Sequence, residues 1–144
     1  MSNKNVYEVF NDFKNAKTKA ERIEVLRKYD SYALRNVQMG AFDPRVIFNV
    51  DKIPDFKREK IPAGMSYSHM TNELGRIYLF MKDNPRTPAG LTEKRKTEIL
   101  IQILESLEED EADVFAAMLT KKLKVPHLTP ALVNEAFPDL LQLS

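Results

Sequence analysis

Three lysines, Lys121, Lys122 and Lys124, stand ahead of a Thr129-Pro130 pair in the stretch LTKKLKVPHLTPALVNEAFPDLL, residues 119–141. Cations suit the end of a helix, where the last carbonyls lack partners within the helix. Threonine followed by proline suits the start of the next one. The hydroxyl accepts an orphan amide, and proline has no N–H to leave unmet. Phe137 precedes Pro138, which disfavours helical backbone at the residue before it, so the second helix stops there. The spacing therefore predicts a helix end, a short basic turn and a second helix. A capped helix start beside three ammonium groups can hold a phosphate. The same pattern also describes an ordinary surface turn.

Other chemistry has little to stand on. The two histidines, His69 and His127, have no cysteine or second histidine at ligand spacing, so no metal site is expected. Neither sits in a Ser–Asp setting for triad chemistry. The carboxylates of residues 105–113 read as a solvated helix cap rather than a catalytic pair. The four glycines make no phosphate-cradling loop. Met70, Met81 and Met118 fall at helical spacing and read as core, while Tyr67 and Tyr78 are the candidates for stacking on bases. No cofactor and no enzymatic activity are expected.

The elements that must position the lysines are helical almost throughout. Val6, Tyr7, Val9, Phe10 and Phe13 mark a first helix, and Thr18 with Glu21 makes a capping-box start for a second. Asp30 or Ser31 caps a third, which ends near Gly40. Asp43-Pro44 repeats the cap-plus-proline start and leads into Val46-Ile47-Phe48, which is short and β-branched. Residues 51–66 carry Pro54, Pro62 and Gly64 with Lys57, Arg58 and Lys60, and read as a basic loop held through Ile53, Phe56 and Ile61. A fourth helix is predicted over residues 66–82. Thr92 caps a fifth, apolar around most of its circumference and so expected at the centre. A sixth starts in the acidic run.

With Pro44 set over Pro130, the flanks correspond at an offset of 86: Arg35 falls on Lys121, Asp43 on Thr129 and Val46 on Leu132. Two such units about a pseudo-two-fold axis would present paired helix starts to the two strands of a duplex. Helix–turn–helix units also share these cues by necessity. Asp43 places a negative charge where an anion would sit in the first copy.

The order of elements resembles the all-helical N-terminal DNA-binding domain of ATP-dependent DNA ligases, especially those of tailed phages. KTKAERIEVLRKY, DSYALRNVQMGAFDPRVIFNV, the proline-rich loop, the two long helices and LTKKLKVPHLTPALVNEAFPDLL carry the likeness over nearly the whole chain. The resemblance implies a compact all-α bundle of about six or seven helices. It also implies backbone contacts to duplex DNA from Lys121, Lys122, Lys124 and Thr129, with Arg35 and Arg45 as the earlier counterparts. The family usually has glycine in the late turn, where this chain has Val125-Pro126-His127. The Lys-x-Asp-Gly setting of the ligase nucleophile does not occur. A stand-alone, non-catalytic relative is implied, a phage accessory protein of DNA metabolism. The alternative is an adaptor on the same scaffold that binds a phage or host protein partner.

Composition fits both readings. The 144 residues suit a single domain with one core, and the absence of cysteine excludes disulfides and thiolate metal sites. No apolar run suggests a membrane partner and the N-terminus has no signal-peptide pattern, so a cytoplasmic protein is expected, in the host cell if it belongs to a phage. The net charge of +1 hides an asymmetry. Residues 1–60 carry 13 Lys/Arg against 9 Asp/Glu, whereas residues 105–144 carry 3 against 8. A basic face with an acidic edge would orient a polyanion. Replacing Lys121, Lys122 and Lys124 with glutamate is expected to abolish DNA binding without unfolding the chain.

Overall fold

Four of the helices begin where a Ser or Thr side chain satisfies an amide that the helix leaves bare. The computed structural model describes residues 4–57, 66 and 68–141. Among these it holds seven α-helices and no strand: α1 (Val6–Asn15), α2 (Lys19–Lys28), α3 (Tyr32–Phe42), α4 (Met70–Leu74), α5 (Glu93–Ser106), α6 (Glu109–Leu119) and α7 (Pro130–Ala136). Thr18, Ser31, Thr92 and Thr129 each accept the amide three residues on. Ser31 rather than Asp30 is the α3 cap, and Asp30 pairs with Arg35 instead.

Buried residues from all seven helices join one apolar cluster. Its centre is α6, which packs on α1, α3 and α5, and whose Phe115, Met118 and Leu119 are sealed from solvent. This corrects the expectation for α5. That helix buries Ile99, Leu100, Ile103 and Leu104 but turns Arg95, Glu98, Gln102 and Glu105 to water, so its polar stripe keeps it at the edge. Gly40 lies in the last turn of α3, near its end as expected. A Cβ there would meet Met118 Sδ at 2.7 Å, so the missing side chain is what lets α3 lie against α6.

Two further expectations fail for tertiary reasons. The long fourth helix is only α4 followed by a 3-10 turn, Ile77–Phe80, with Gly75 between them. Glycine weakens the helix there, and the chain beyond is extended to pair with another segment. The Asn49 amide donates to the Phe80 carbonyl at 2.6 Å, and the Lys82 amide to the Ile47 carbonyl at 2.8 Å. Residues 46–48, which followed the second cap-plus-proline signal, are the other half of that isolated bridge, Phe48 to Met81. No helix follows Pro44. Ile53 and Phe56 pack on the core as expected. The expectations for Arg58, Lys60, Ile61, Pro62, Gly64 and Tyr67 fall outside the described residues.

Candidate nucleic-acid interface

At the end of α6 the amides of Lys121 and Lys122 donate to the carbonyls of Met118 (3.1 Å) and Ala117 (2.8 Å). This is the Schellman pattern, and it puts Lys121 in the left-handed region with φ 57°, a position that usually falls to glycine. A lysine there carries a backbone cost, and its side chain supplies a compensation. Lys121 Nζ donates to the carbonyl of Gly40 and, at 3.2 Å, to that of Asp43, and it lies 5.4 Å above the Phe48 ring. The Gly40 carbonyl is in the last turn of α3, and that of Asp43, the residue after the helix, also accepts the Val46 amide at 3.1 Å. Lys121 thus closes the end of α6 with its backbone amide and the end of α3 with its ammonium, and desolvation moves its pKa below the ordinary lysine value, with Asp43 pulling the other way.

Arg45 joins the same place from the first turn. Asp43 is fully buried and takes the Arg45 amide on Oδ1 at 2.9 Å. It also takes the guanidinium, Nη2 to Oδ2 at 2.9 Å and Nε to Oδ1 at 3.2 Å. Asp43 therefore caps a turn and holds Arg45, whose side chain stays largely exposed. Lys122 and Lys124 are exposed, and neither has a side-chain hydrogen bond or ion pair among the described residues.

Arg35 stands apart. It sits five residues, or about 8 Å along the helix axis, before Gly40. It grips Asp30 with two hydrogen bonds of 2.6 and 2.9 Å and lies 4.8 Å over the Phe137 ring. The bond to Arg35 holds the Asp30 carboxyl below its usual range. Arg35 thus ties the α2–α3 turn to the end of α7. Arg27 serves the same helix end, donating to the carbonyls of Ala136 and Glu135 at 3.1 and 3.2 Å. Thr129 Oγ1 accepts the Leu132 amide at 3.1 Å, so it caps α7 and is already engaged. Before it, the Leu128 amide bonds to the Val125 carbonyl across Pro126 and His127, with φ 71° at His127. Proline followed by a residue of positive φ is the pattern of a type II turn.

The sequence repeat does not survive as a repeat in space. Arg35 is inside α3, whereas Lys121 lies beyond the end of α6, and only the second proline opens a helix. The two turns nevertheless meet through Lys121. Sequence reasoning missed Lys82, an exposed cation across the bridge from Ile47. It also missed that Glu108 and Glu111 are buried at 6% and 4% rather than solvated. No group of carboxylates and histidines among the described residues could hold a metal, and no helix there is long and apolar enough to cross a membrane.

A family model covers most of this architecture, matching residues 9–125. The chain belongs to DUF6433, a family of unknown function. Comparison with curated proteins returns no match. The matched span takes in Arg35, Arg45, Lys121, Lys122 and Lys124 and stops before Thr129 and α7. The junction of α3 with the end of α6 is therefore within the family's region.

Proposed function

We propose that this member of the DUF6433 family is a non-catalytic, sequence-independent duplex-DNA-binding module, a phage accessory protein of DNA metabolism. The observation that supports the reading is the Lys121 side chain on the carbonyls of Gly40 and Asp43. It brings Arg45 beside the Lys121-Lys122-Lys124 turn and gathers cations from two distant stretches on one surface. Lys122 and Lys124, which make no side-chain hydrogen bond or ion pair among the described residues, supply the phosphate contacts. Arg45 adds to them when it shares its guanidinium between Asp43 and a phosphate. Lys121 and Thr129 hold the surface in shape, and Arg35 anchors α7 behind it. The three contacts would give a binding constant that falls with salt at a slope of about −0.9 per contact.

The test is Lys122→Glu/Lys124→Glu, assayed against an intact duplex at low salt by fluorescence anisotropy. Lys121 is left unchanged because its reversal would damage the end of α3. We expect binding to fall at least tenfold with the circular-dichroism spectrum and melting curve retained. Wild-type affinity in that variant, or no wild-type binding at low salt, would reject the reading.

An adaptor role keeps one observation on its side. Ile47 is 53% exposed, with Arg45 two residues before it and Lys82 bonded to its carbonyl. A protein partner with an apolar residue ringed by acids would fit that point. The adaptor reading requires a nuclease-resistant complex that Ile47→Asp abolishes while DNA binding is unchanged.

A further inference from the structure

The region that gathers the cations also bears an apolar point. Among the described residues, Tyr32 and Ile47 are the large hydrophobic side chains left exposed, at 55% and 53%. Tyr32 begins α3 and carries a hydroxyl that water can meet. Ile47 has no polar atom and is seated differently. Upstream, the Val46 amide bonds to the Asp43 carbonyl at 3.1 Å. Downstream, the Ile47 carbonyl accepts the Lys82 amide, and Phe48 bridges to Met81. Phe48 packs on the core with the Lys121 ammonium over its ring. The backbone is therefore tied down on both sides of Ile47, and branching at Cβ restricts rotation about χ1. A lone exposed aliphatic is ordinary on a protein surface. One held stiffly among cations is less so.

The neighbours of Ile47 set the chemistry of what it can meet. Arg45 stands two residues before it and Lys82 is bonded to it across the bridge, both with exposed side chains. Lys121 ties Phe48 and Asp43 to the turn that carries Lys122 and Lys124. Asp43 is buried and held by Arg45, and Asp83, exposed beside Lys82, carries the opposing charge. The five cations outnumber these two acids. A duplex matches both features at once, with phosphates along the groove edges and apolar base faces between them.

We propose that Ile47 is a wedge: on binding it enters the minor groove at a base step, separates the stacked pairs and kinks the duplex, while Lys122, Lys124 and Arg45 hold flanking phosphates. The proposal deepens the duplex-DNA reading and rests on it. Apolar side chains inserted from the minor groove unstack a step and bend the duplex by roughly 20–90°. Unstacking costs least where pairing is already poor, so the module favours a mismatched duplex without reading any base. Ile47 meets no phosphate and adds nothing to the salt slope. Its seat is formed before DNA arrives, so little ordering is needed on binding.

The test places 2-aminopurine beside a central mismatch in a short duplex and follows its fluorescence, with end-to-end energy transfer reporting the bend. At saturation the full wild-type chain should raise the emission about twofold and bend the duplex by at least about 20°. It should also bind the mismatched duplex roughly tenfold more tightly than the matched one. Ile47→Ala should lose the emission change, the bend and the preference, while keeping the wild-type salt slope and melting curve. Ile47→Leu should restore all three. Wild-type binding without an emission change, or equal changes in wild type and Ile47→Ala, would overturn the wedge and leave the DNA reading standing. No wild-type binding at low salt would reject both. An unchanged bend in Ile47→Ala, with a nuclease-resistant protein complex lost, would overturn the wedge and assign Ile47 to a protein partner.

Discussion

At the start of α6, Glu108 and Glu111 are buried against the N-terminus of α1; at its end, Lys121 reaches the carbonyls of Gly40 and Asp43 while Lys122 and Lys124 stand in water. Both ends obey one rule, since anions suit helix N-termini and cations suit helix C-termini. They differ in how much charge the fold consumes. Two backbone amides and one side-chain amide occupy the buried acids, and little is left for a ligand. At the other end one lysine of three closes the helix, and the remaining two are surplus to folding. A binding surface is better sought where charge is left over than where it is most concentrated.

The contrast can be broken most forcefully at Gly40. Gly40→Val puts atoms where Met118 Sδ and Cγ now lie, at 2.7 and 2.8 Å from an added Cβ, and would push α3 off α6. A loss of about 2 kcal/mol is expected, read from the urea midpoint at unchanged slope. Gly90→Ala is the control. Nothing lies within 4 Å of its added Cβ, so the change should be neutral or slightly stabilising. A similar cost for both substitutions would mean that α3 and α6 do not depend on close approach.

Next in size come the caps. Lys121→Met keeps the aliphatic stem but removes both carbonyl contacts, and about 1 kcal/mol should be lost after allowance for partial exposure. Lys121→Gly loses the same contacts yet relieves the left-handed backbone, worth about 1 kcal/mol. It should therefore be the more stable of the two by thermal melting. If Lys121→Gly is the less stable, the side-chain stem, not the ammonium, is what holds the end of α3. Thr129→Ala removes the acceptor for the Leu132 amide and should cost about 1 kcal/mol, with the opposite end of α6 unaffected in hydrogen exchange.

What could be read from the sequence divides along the same line. Thr18, Ser31, Thr92 and Thr129 were legible because each bonds an amide three residues away, a distance the chain itself fixes. Glu111 to Tyr7 and Lys121 to Gly40 span 104 and 81 positions, and no local pattern encodes such partners. The acidic run therefore read as a solvated cap, although half its purpose is to cap another helix. The apolar spacing at Met70, Leu74, Ile77 and Met81 predicted one long helix, yet the bridge to Phe48 draws Met81, just after the 3-10 turn, into extended backbone. Among the site residues, the basic turn at 121–124 was legible by charge. The division of labour within it was not, since it follows from which carbonyls lie within reach of which ammonium.

The smallest expected effect on stability is the most informative about the free cations. Lys122→Gln and Lys124→Gln remove charges that make no side-chain contact among the described residues, so each should change stability by less than about 0.5 kcal/mol. If both lysines meet phosphates, each substitution should also lower the magnitude of the salt slope by about 1, uniformly across duplex sequences. Arg35→Gln should behave in the opposite manner. It breaks the Asp30 pair and the contact over Phe137, so stability falls while the salt slope is unchanged. Were Arg35→Gln to reduce the slope and Lys122→Gln to leave it intact, phosphate contacts would have to come from cations that folding already uses, and the inference from surplus charge to binding would fail at this surface.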